Sequence, residues 1–289
     1  MTAQDMSARA KARRRKAAGT SLLSGIPLVI FSCFILLPIL WALSISFKDN
    51  GVVLSGQFSI LPNPFTFENY AYVWERNHFG QYFANSMLIA VVSVLLAVNL
   101  ILWNAYALTR CEFRGKNVVV MALLMTSTVP VMLNLTSIYM LIRNVGLMDS
   151  RIAIILLNVE GNIAFNTLLM RGFMGGIPRE IDEAAMIDGC NRFELIYKII
   201  LPVAKPGLVT VLIYIFVACW NEYLMSFILL SDRTKFPISI GLKYFIGEFT
   251  TDYASLAAGS MIALLPPMIL FGYVQKHLVG GLSVGAIKA

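Results

Sequence analysis

"REIDEAAMIDGCNRFELIYKIILPVAKP", residues 179–206, carries five acids and four bases in a chain whose surroundings are mostly apolar. Long apolar blocks lie on both sides of it. Apolar residues also recur within it at helical spacing, which argues for two short helices rather than a solvated loop. A charged, structured hairpin between two membrane spans is the feature any account of this chain must explain.

Composition sets the frame. The 289 residues are 58% hydrophobic and 13% charged, with a mean hydropathy of +0.73. Soluble domains carry about a quarter charged residues, so the apolar blocks read as membrane-spanning helices of roughly 20 residues each. Six such blocks are predicted, at 21–47, 84–108, 118–141, 152–170, 207–230 and 256–275. Pro27 and Pro38 are expected to kink the first, which membrane helices tolerate. Residues 1–20, with "RAKARRRKAAG" at 9–19, read as a disordered basic tail. The first block is too long for a signal-peptide core of roughly 7–15 residues. Its basic flank, free of aromatic residues, suits anionic lipid and not nucleic acid.

Topology follows from the positive-inside rule. With six spans, the side holding the N-terminus carries sixteen Lys and Arg residues and the other side seven. Both termini and the hairpin are therefore expected in the cytoplasm. The cysteines, Cys33, Cys111, Cys190 and Cys219, have no metal-ligand spacing, and His78 and His277 are the only histidines. A metal centre and a disulfide framework are both disfavoured. No phosphate-binding glycine loop occurs, since "RGKN" at 114–117 lacks the leading glycine and the final hydroxyl residue. The chain should not hydrolyse ATP and is not expected to be an enzyme.

The hairpin, taken as 177–206, can be read residue by residue. Pro178 suits a first helical position. Acids fill the first turns, where the positive end of the helix favours them. Gly189 can close the helix in a left-handed turn. Ile181, Ala184, Ala185 and Asp188 are spaced as one face. Asn191 can cap a second helix with Glu194 three residues on, and Phe193, Ile196 and Ile200 would share its apolar face. Pro202 and Pro206 close the segment. An interfacial helix on anionic lipid would want a basic polar face; beyond Arg179 the first helix is acidic. A protein partner explains it better.

The same residues resemble the motif of permease subunits of ABC importers: E-A-A, three residues, G, nine residues, I, one residue, L-P. Glu183, Ala184, Ala185, Gly189, Ile199, Leu201 and Pro202 all fit. "NPFTFENY" (63–70), "FANSMLIA" (83–90), "WNEYL" (220–224) and the tail "HLVGGLSVGAIKA" (277–289) look like the shorter permease of the maltose-type, carbohydrate-uptake group. In the tail the likeness runs through Gly281, Leu282, Gly285, Ala286 and Lys288. The resemblance implies an all-α fold of six spans, with the hairpin between the fourth and fifth seated in a groove of a cytoplasmic ATPase. Glu183 would be the ion-pairing residue there, and Ala184, Ala185 and Gly189 would allow close packing. It further implies a bacterial inner-membrane location, a second permease, two ATPase subunits that hold ATP and Mg, and an extracellular solute-binding protein. No cofactor is implied for this chain itself.

Polar residues inside spans are costly and are functional candidates. Glu160 in the fourth span and Glu222 in the fifth both fall roughly 12–14 Å from the outer ends at 1.5 Å per residue. Asn158, Asn162 and Asn166 make a stripe, and "CWNEYL" gathers Trp220, Asn221, Glu222 and Tyr223. These types suit sugar hydroxyls and ring faces, and equally suit polar contacts between helices. Trp103, Tyr106, Tyr139 and Tyr214 read as packing or interface aromatics. The reading is a sugar-importer permease subunit. Its rivals are a permease for another solute and an autonomous carrier, which would need paired broken helices or an embedded ion site.

Overall fold

The computed structural model describes residues 3–56, 59–76, 78–247 and 250–285, with side chains described between 25 and 275 in those ranges, Arg76 apart. Its long elements are helices: α1 (Ala3–Ser46), α2 (Phe79–Arg110), α3 (Lys116–Thr128), α4 (Leu135–Asn144), α5 (Arg151–Gly175), α6 (Arg179–Ile187), α7 (Lys205–Trp220), α8 (Leu224–Leu229) and α9 (Tyr253–Gly285). Five stretches among the described residues can cross a bilayer by length and composition: Gly25–Ser46, Phe79–Arg110, Arg151–Gly175, Lys205–Leu229 and Tyr253–Gln275. A sixth exists if α3 and Val131–Asn144 are taken as one span, bent by 89°.

Two expectations are corrected. The basic tail is not an irregular segment, because α1 already begins at Ala3. Its alanines, lysines and arginines are strong helix formers. The predicted third span at 118–141 is broken: Pro130 has no N–H to donate, and the residue before it, Val129, is extended at φ −74° and ψ 120°. A single 3-10 turn, Val131–Asn134, follows before α4 resumes.

The contacts divide the chain into two compact units, residues 1–71 with 252–261, and residues 72–251 with 262–289. In the first, "NPFTFENY" closes the end of α1. Asn69 donates to the carbonyls of Ser46 (2.9 Å) and Lys48 (2.7 Å), and the Thr66 N–H donates to the carbonyl of Phe47 at 2.9 Å. These are carbonyls that a helix end leaves without partners. Phe47 stacks on Phe65 with centroids 4.7 Å apart, and Phe67 meets Phe47 edge-on at 5.3 Å. Leu28, Phe31, Phe34 and Leu37 on α1 are exposed.

The second unit holds the core. Helix α2 packs chiefly on α5, α7 packs on both, and α3 lies on α5. Ile101, Leu102, Ile154, Met170, Met174 and Ile215 are fully buried there. Gly207 lets α7 come close to Phe173 of α5, since a Cβ on it would lie 2.3 Å from Phe173 Cγ. Small residues let membrane helices approach in this way.

At the opposite end of α5 a polar knot fixes the segment after α8. Asn85 of "FANSMLIA" donates to the carbonyls of Thr234 (2.8 Å) and Phe236 (3.0 Å) and accepts from Arg151 at 2.7 Å. Ser86 Oγ accepts the Ile238 N–H at 2.7 Å. Asp149, held at φ +54°, accepts the N–H groups of Ser231 (2.9 Å) and Asp232 (3.0 Å) and pairs with Lys235 at 2.6 Å. The Asp232 N–H, then Lys235, draw the Asp149 carboxyl down to about 2 from its ordinary 3.8. A depressed carboxyl stabilises the fold above its unfolded value and loses that contribution as pH falls through its folded one. Thermal unfolding of purified protein between pH ~4 and ~2 should show an acid-dependent loss that Asp149→Asn removes. An unchanged acid profile in the variant would contradict this account.

Candidate functional site

Two sites emerge, the charged hairpin and a cavity between helices whose lining carries several polar side chains. The hairpin is built on α6. Pro178 is the residue before the helix, with ψ 141°, not its first helical residue. Helix α6 ends at Gly189, φ +87°. The Gly189 N–H donates to the Met186 carbonyl (3.1 Å) and the Cys190 N–H to the Ala185 carbonyl (3.0 Å), a pairing that satisfies the last carbonyls of a helix. Asn191 then opens the second helix through a complete capping box with Glu194. Lys198, 2.8 Å from Glu194, is the larger cause that holds the Glu194 carboxyl below its ordinary range, with the Asn191 N–H adding to it.

After Arg192–Glu194 the backbone widens into a π-helical turn, Leu195–Ile200, before Leu201–Val203. Pro202 gives the reason: it cannot donate to the carbonyl four residues back, and its ring crowds that carbonyl. The Leu201 N–H instead reaches the Ile196 carbonyl, five residues back.

The hairpin is anchored by a charge pair that the sequence reading missed. Arg110, the last residue of α2, sits with its Nε 2.7 Å from Asp182 Oδ2, and both side chains are 8% exposed. Arg110 Nη2 also donates to the Ile177 carbonyl at 3.0 Å. A second contact comes from Tyr197, whose hydroxyl donates to Asn99 Oδ1 at 2.6 Å and accepts from Trp103 Nε1 at 3.3 Å. The available signal was an arginine ending an apolar span together with an acid beside the inward positions of α6.

Burial corrects the expected faces. Asp182 and Ala185 are buried, while Glu183, Ala184, Asp188 and Gly189 are exposed. Ile181, Ala184, Ala185 and Asp188 therefore do not form one contact face. On the second helix Ile196 and Ile200 are buried, but Phe193 is 59% exposed. The outward surface thus combines Glu183 and Ala184 with Met186, Ile187 (85% exposed) and Phe193. No heavy atom lies within 4 Å of a Cβ built on Gly189, so the turn is open within this chain. Of the other motif residues, Ile199 and Leu201 are half-buried and Pro202 is exposed.

The cavity, about 380 Å³, lies between the α3–α4 break, α5, α7 and α8. Asn158, Glu160, Asn162 and Glu222 all line it, with Phe165 and Tyr214 as aromatic walls. The two rings are 4.9 Å apart. Tyr214, read from sequence as packing, thus faces this space. Trp220 does not: it is buried, and its Nε1 donates to the Ala263 carbonyl at 3.0 Å. Asn221 is exposed away from the lining, and Tyr223 stacks on Phe227 at 5.4 Å.

Glu222 has a second task. The chain breaks after Trp220, and Glu222 closes the new helix end. Its Oε1 accepts the Met225 N–H (2.6 Å), and its Oε2 accepts from the N–H (3.1 Å) and the hydroxyl (2.5 Å) of Ser226. In the asparagine stripe, Asn162 and Asn166 donate back to the carbonyls of Asn158 and Asn162, each at 2.8 Å. Asn158 Nδ2 is buried without a partner. In the tail, Gly281, Leu282 and Gly285 fall on α9, and Lys288 lies outside the described residues. No group of His, Cys, Asp and Glu that could hold a metal occurs among the described residues.

Residues 106–283 match the family described as "Binding-protein-dependent transport system inner membrane component". The chain is 31% identical to a diacetylchitobiose uptake system permease protein of Streptomyces coelicolor over 90% of its own length and 87% of the relative's. It is also 31% identical to a maltodextrin transport system permease protein of Bacillus subtilis, covering 90% and 94%. Among solved structures it resembles a chain of a bacterial ABC transporter involved in import of the acidic polysaccharide alginate. That match has a TM-score of 0.78 and 26% identity, and covers 91% of this chain and 97% of that one.

Removing Asp182 strands a buried guanidinium, which costs about 3–5 kcal/mol. Asp182→Ala should therefore lower the unfolding temperature of the purified protein sharply. Adding Arg110→Ala to it should recover part of the loss. Additive effects in that double-mutant cycle would rule out direct coupling between the two residues.

Proposed function

The chain belongs to the family of binding-protein-dependent transport system inner membrane components, and from that premise we propose that it is the permease subunit of an ABC importer for an oligosaccharide. It forms part of the translocation pathway and is not itself an enzyme. ATP and Mg are bound by two separate ATPase subunits, which engage the hairpin at 177–206. A second permease completes the membrane core, and a solute-binding protein delivers the sugar from outside. Both termini and the hairpin lie in the cytoplasm, in keeping with the charge asymmetry of the loops.

The observation that carries the coupling role is the mechanical one. A hairpin that transmits motion must be stiff and must still present a free surface. Here the caps, the buried Arg110–Asp182 pair and the Tyr197–Asn99 bond supply stiffness. The exposed Met186, Ile187 and Phe193 beside Glu183 supply a surface for a protein groove. Closure of the ATPase dimer would push on this knuckle, and α2, α5 and α7 would move with it. Broken helices such as the α3–α4 and α7–α8 pairs also occur in carriers driven by ion gradients, but such a carrier has no use for this hairpin.

The sugar pathway is assigned to the cavity lined by Asn158, Glu160, Asn162 and Glu222. Trp220, Asn221 and Tyr223 adjoin Glu222 in sequence but do not line the cavity. The family likeness to carbohydrate permeases supports a saccharide cargo. Gly281, Leu282, Gly285 and Lys288 would extend the ATPase contact from the C-terminal end.

Gly189→Asp tests the coupling. The left-handed φ costs a non-glycine residue about 1 kcal/mol, and the new charge sits where the partner would approach. Uptake by membrane vesicles holding the assembled importer should fall on the order of tenfold or more, with the variant inserted at normal levels. Normal uptake and normal cargo-stimulated ATP hydrolysis in that variant would contradict the docking role.

A further inference from the structure

The cavity's charge is as informative as its shape. About 380 Å³ lies within the range of small-ligand sites, roughly 300–1,000 Å³. Two carboxylates line it, and no lysine, arginine or histidine does. They are not equivalent. Glu222 spends both oxygens on the start of α8. Glu160 is exposed and takes part in none of the ion pairs or side-chain hydrogen bonds among the described residues. One wall therefore offers a carboxylate that is free to accept.

A second observation points to a ligand. Asn158 is 7% exposed, and its Nδ2 has no partner within the chain. A buried donor left unmatched is expensive, and since Asn158 belongs to the cavity lining, a rotation of its amide would offer that donor to a hydroxyl there. Phe165 and Tyr214, whose rings lie 4.9 Å apart at a tilt of 35°, add aromatic surface to the same lining. Hydrogen-bonding groups together with aromatic faces in one lining suit a sugar ring. An acidic sugar would bring its own carboxylate towards Glu160 and Glu222 with no cation to offset the repulsion. Like charges placed together in this way are a strong means of rejection.

Resting on the saccharide-permease reading above, we propose that this cavity is a sugar subsite that accepts uncharged and amine-bearing glycans and rejects uronic-acid glycans, with Glu160 setting the preference. The importer of the acidic polysaccharide alginate, which this chain resembles in fold, would then differ from it in cargo charge.

The test uses the full complex purified through this chain and held in lipid nanodiscs without binding protein, so that the membrane site alone is read. Binding of three probes is measured by saturation-transfer NMR and competition at slightly acidic pH. The probes are chitobiose (amine-bearing), diacetylchitobiose (uncharged) and digalacturonate (acidic). The wild-type complex should prefer chitobiose over digalacturonate by roughly tenfold or more. Glu160→Lys should invert that ratio. Glu160→Gln, a near-isosteric change that covers the chance that the lysine variant fails to assemble, should narrow the ratio by at least about threefold.

Equal binding of digalacturonate and chitobiose to wild type overturns the proposal. So does a ratio that both variants leave unchanged, or the failure of all three probes to bind. A separate uptake assay on native vesicles distinguishes the two levels. If saccharide import persists while the charge ratio ignores Glu160, only this inference falls. If no saccharide is imported at all, the sugar-permease reading falls with it.

Discussion

The ion pair between Arg110 and Asp182 holds the hairpin to the membrane body. Both side chains are almost completely buried, so loss of either would leave the other an uncompensated buried charge. Arg110 also reaches the carbonyl of Ile177, at the entry to α6. One guanidinium thus ties the end of α2 to the start and the first turn of the hairpin. With Asp182 and Ala185 turned inward by this pair, Glu183, Ala184, Met186 and Ile187 must face out on a nine-residue helix. The free surface follows from the anchor.

The same economy recurs where the chain breaks its helices. Backbone groups freed and buried where a helix ends or breaks must be satisfied by other groups of the protein. Glu222 does this for α8, Asn69 for the end of α1, and Asn85 with Ser86 for the segment that follows α8. These residues lie in "WNEYL", "NPFTFENY" and "FANSMLIA", the short stretches that carry the family likeness. Their physical content is the capping and pinning of irregular backbone, which only particular side chains at particular places can supply. Glu222 shows that one residue can be structural and still line the cavity, which leaves Glu160 as the lining carboxylate with no side-chain partner among the described residues.

Much of this was legible from local sequence. Span positions follow from apolar block length, and the Asn191–Glu194 capping box and the Gly189 turn follow from residue type at fixed offsets. What was not legible depends on partners far away in sequence. Arg110 and Asp182 are 72 residues apart, and no periodicity links them. The inward face of α6 is set by that pair, so spacing alone grouped the buried Ala185 with the exposed Ala184 and Asp188. The 89° break at Pro130 lies in a block apolar enough to pass as one span. The helical start of the basic tail was hidden because charge suggested disorder while propensity favoured helix. In the cavity, Tyr214 was set aside and Trp220 and Tyr223 were included, because sequence neighbours need not share a helix face once the helix breaks at Asn221.

The most direct test of the coupling role is site-specific photo-cross-linking in the assembled importer, with the probe placed at Ile187 and, as an inward control, at Ala185. The account predicts that the Ile187 probe captures an ATPase subunit in a nucleotide-sensitive manner, while the Ala185 probe captures only this chain. Capture of lipid alone from Ile187, with no protein partner in any nucleotide state, would contradict it.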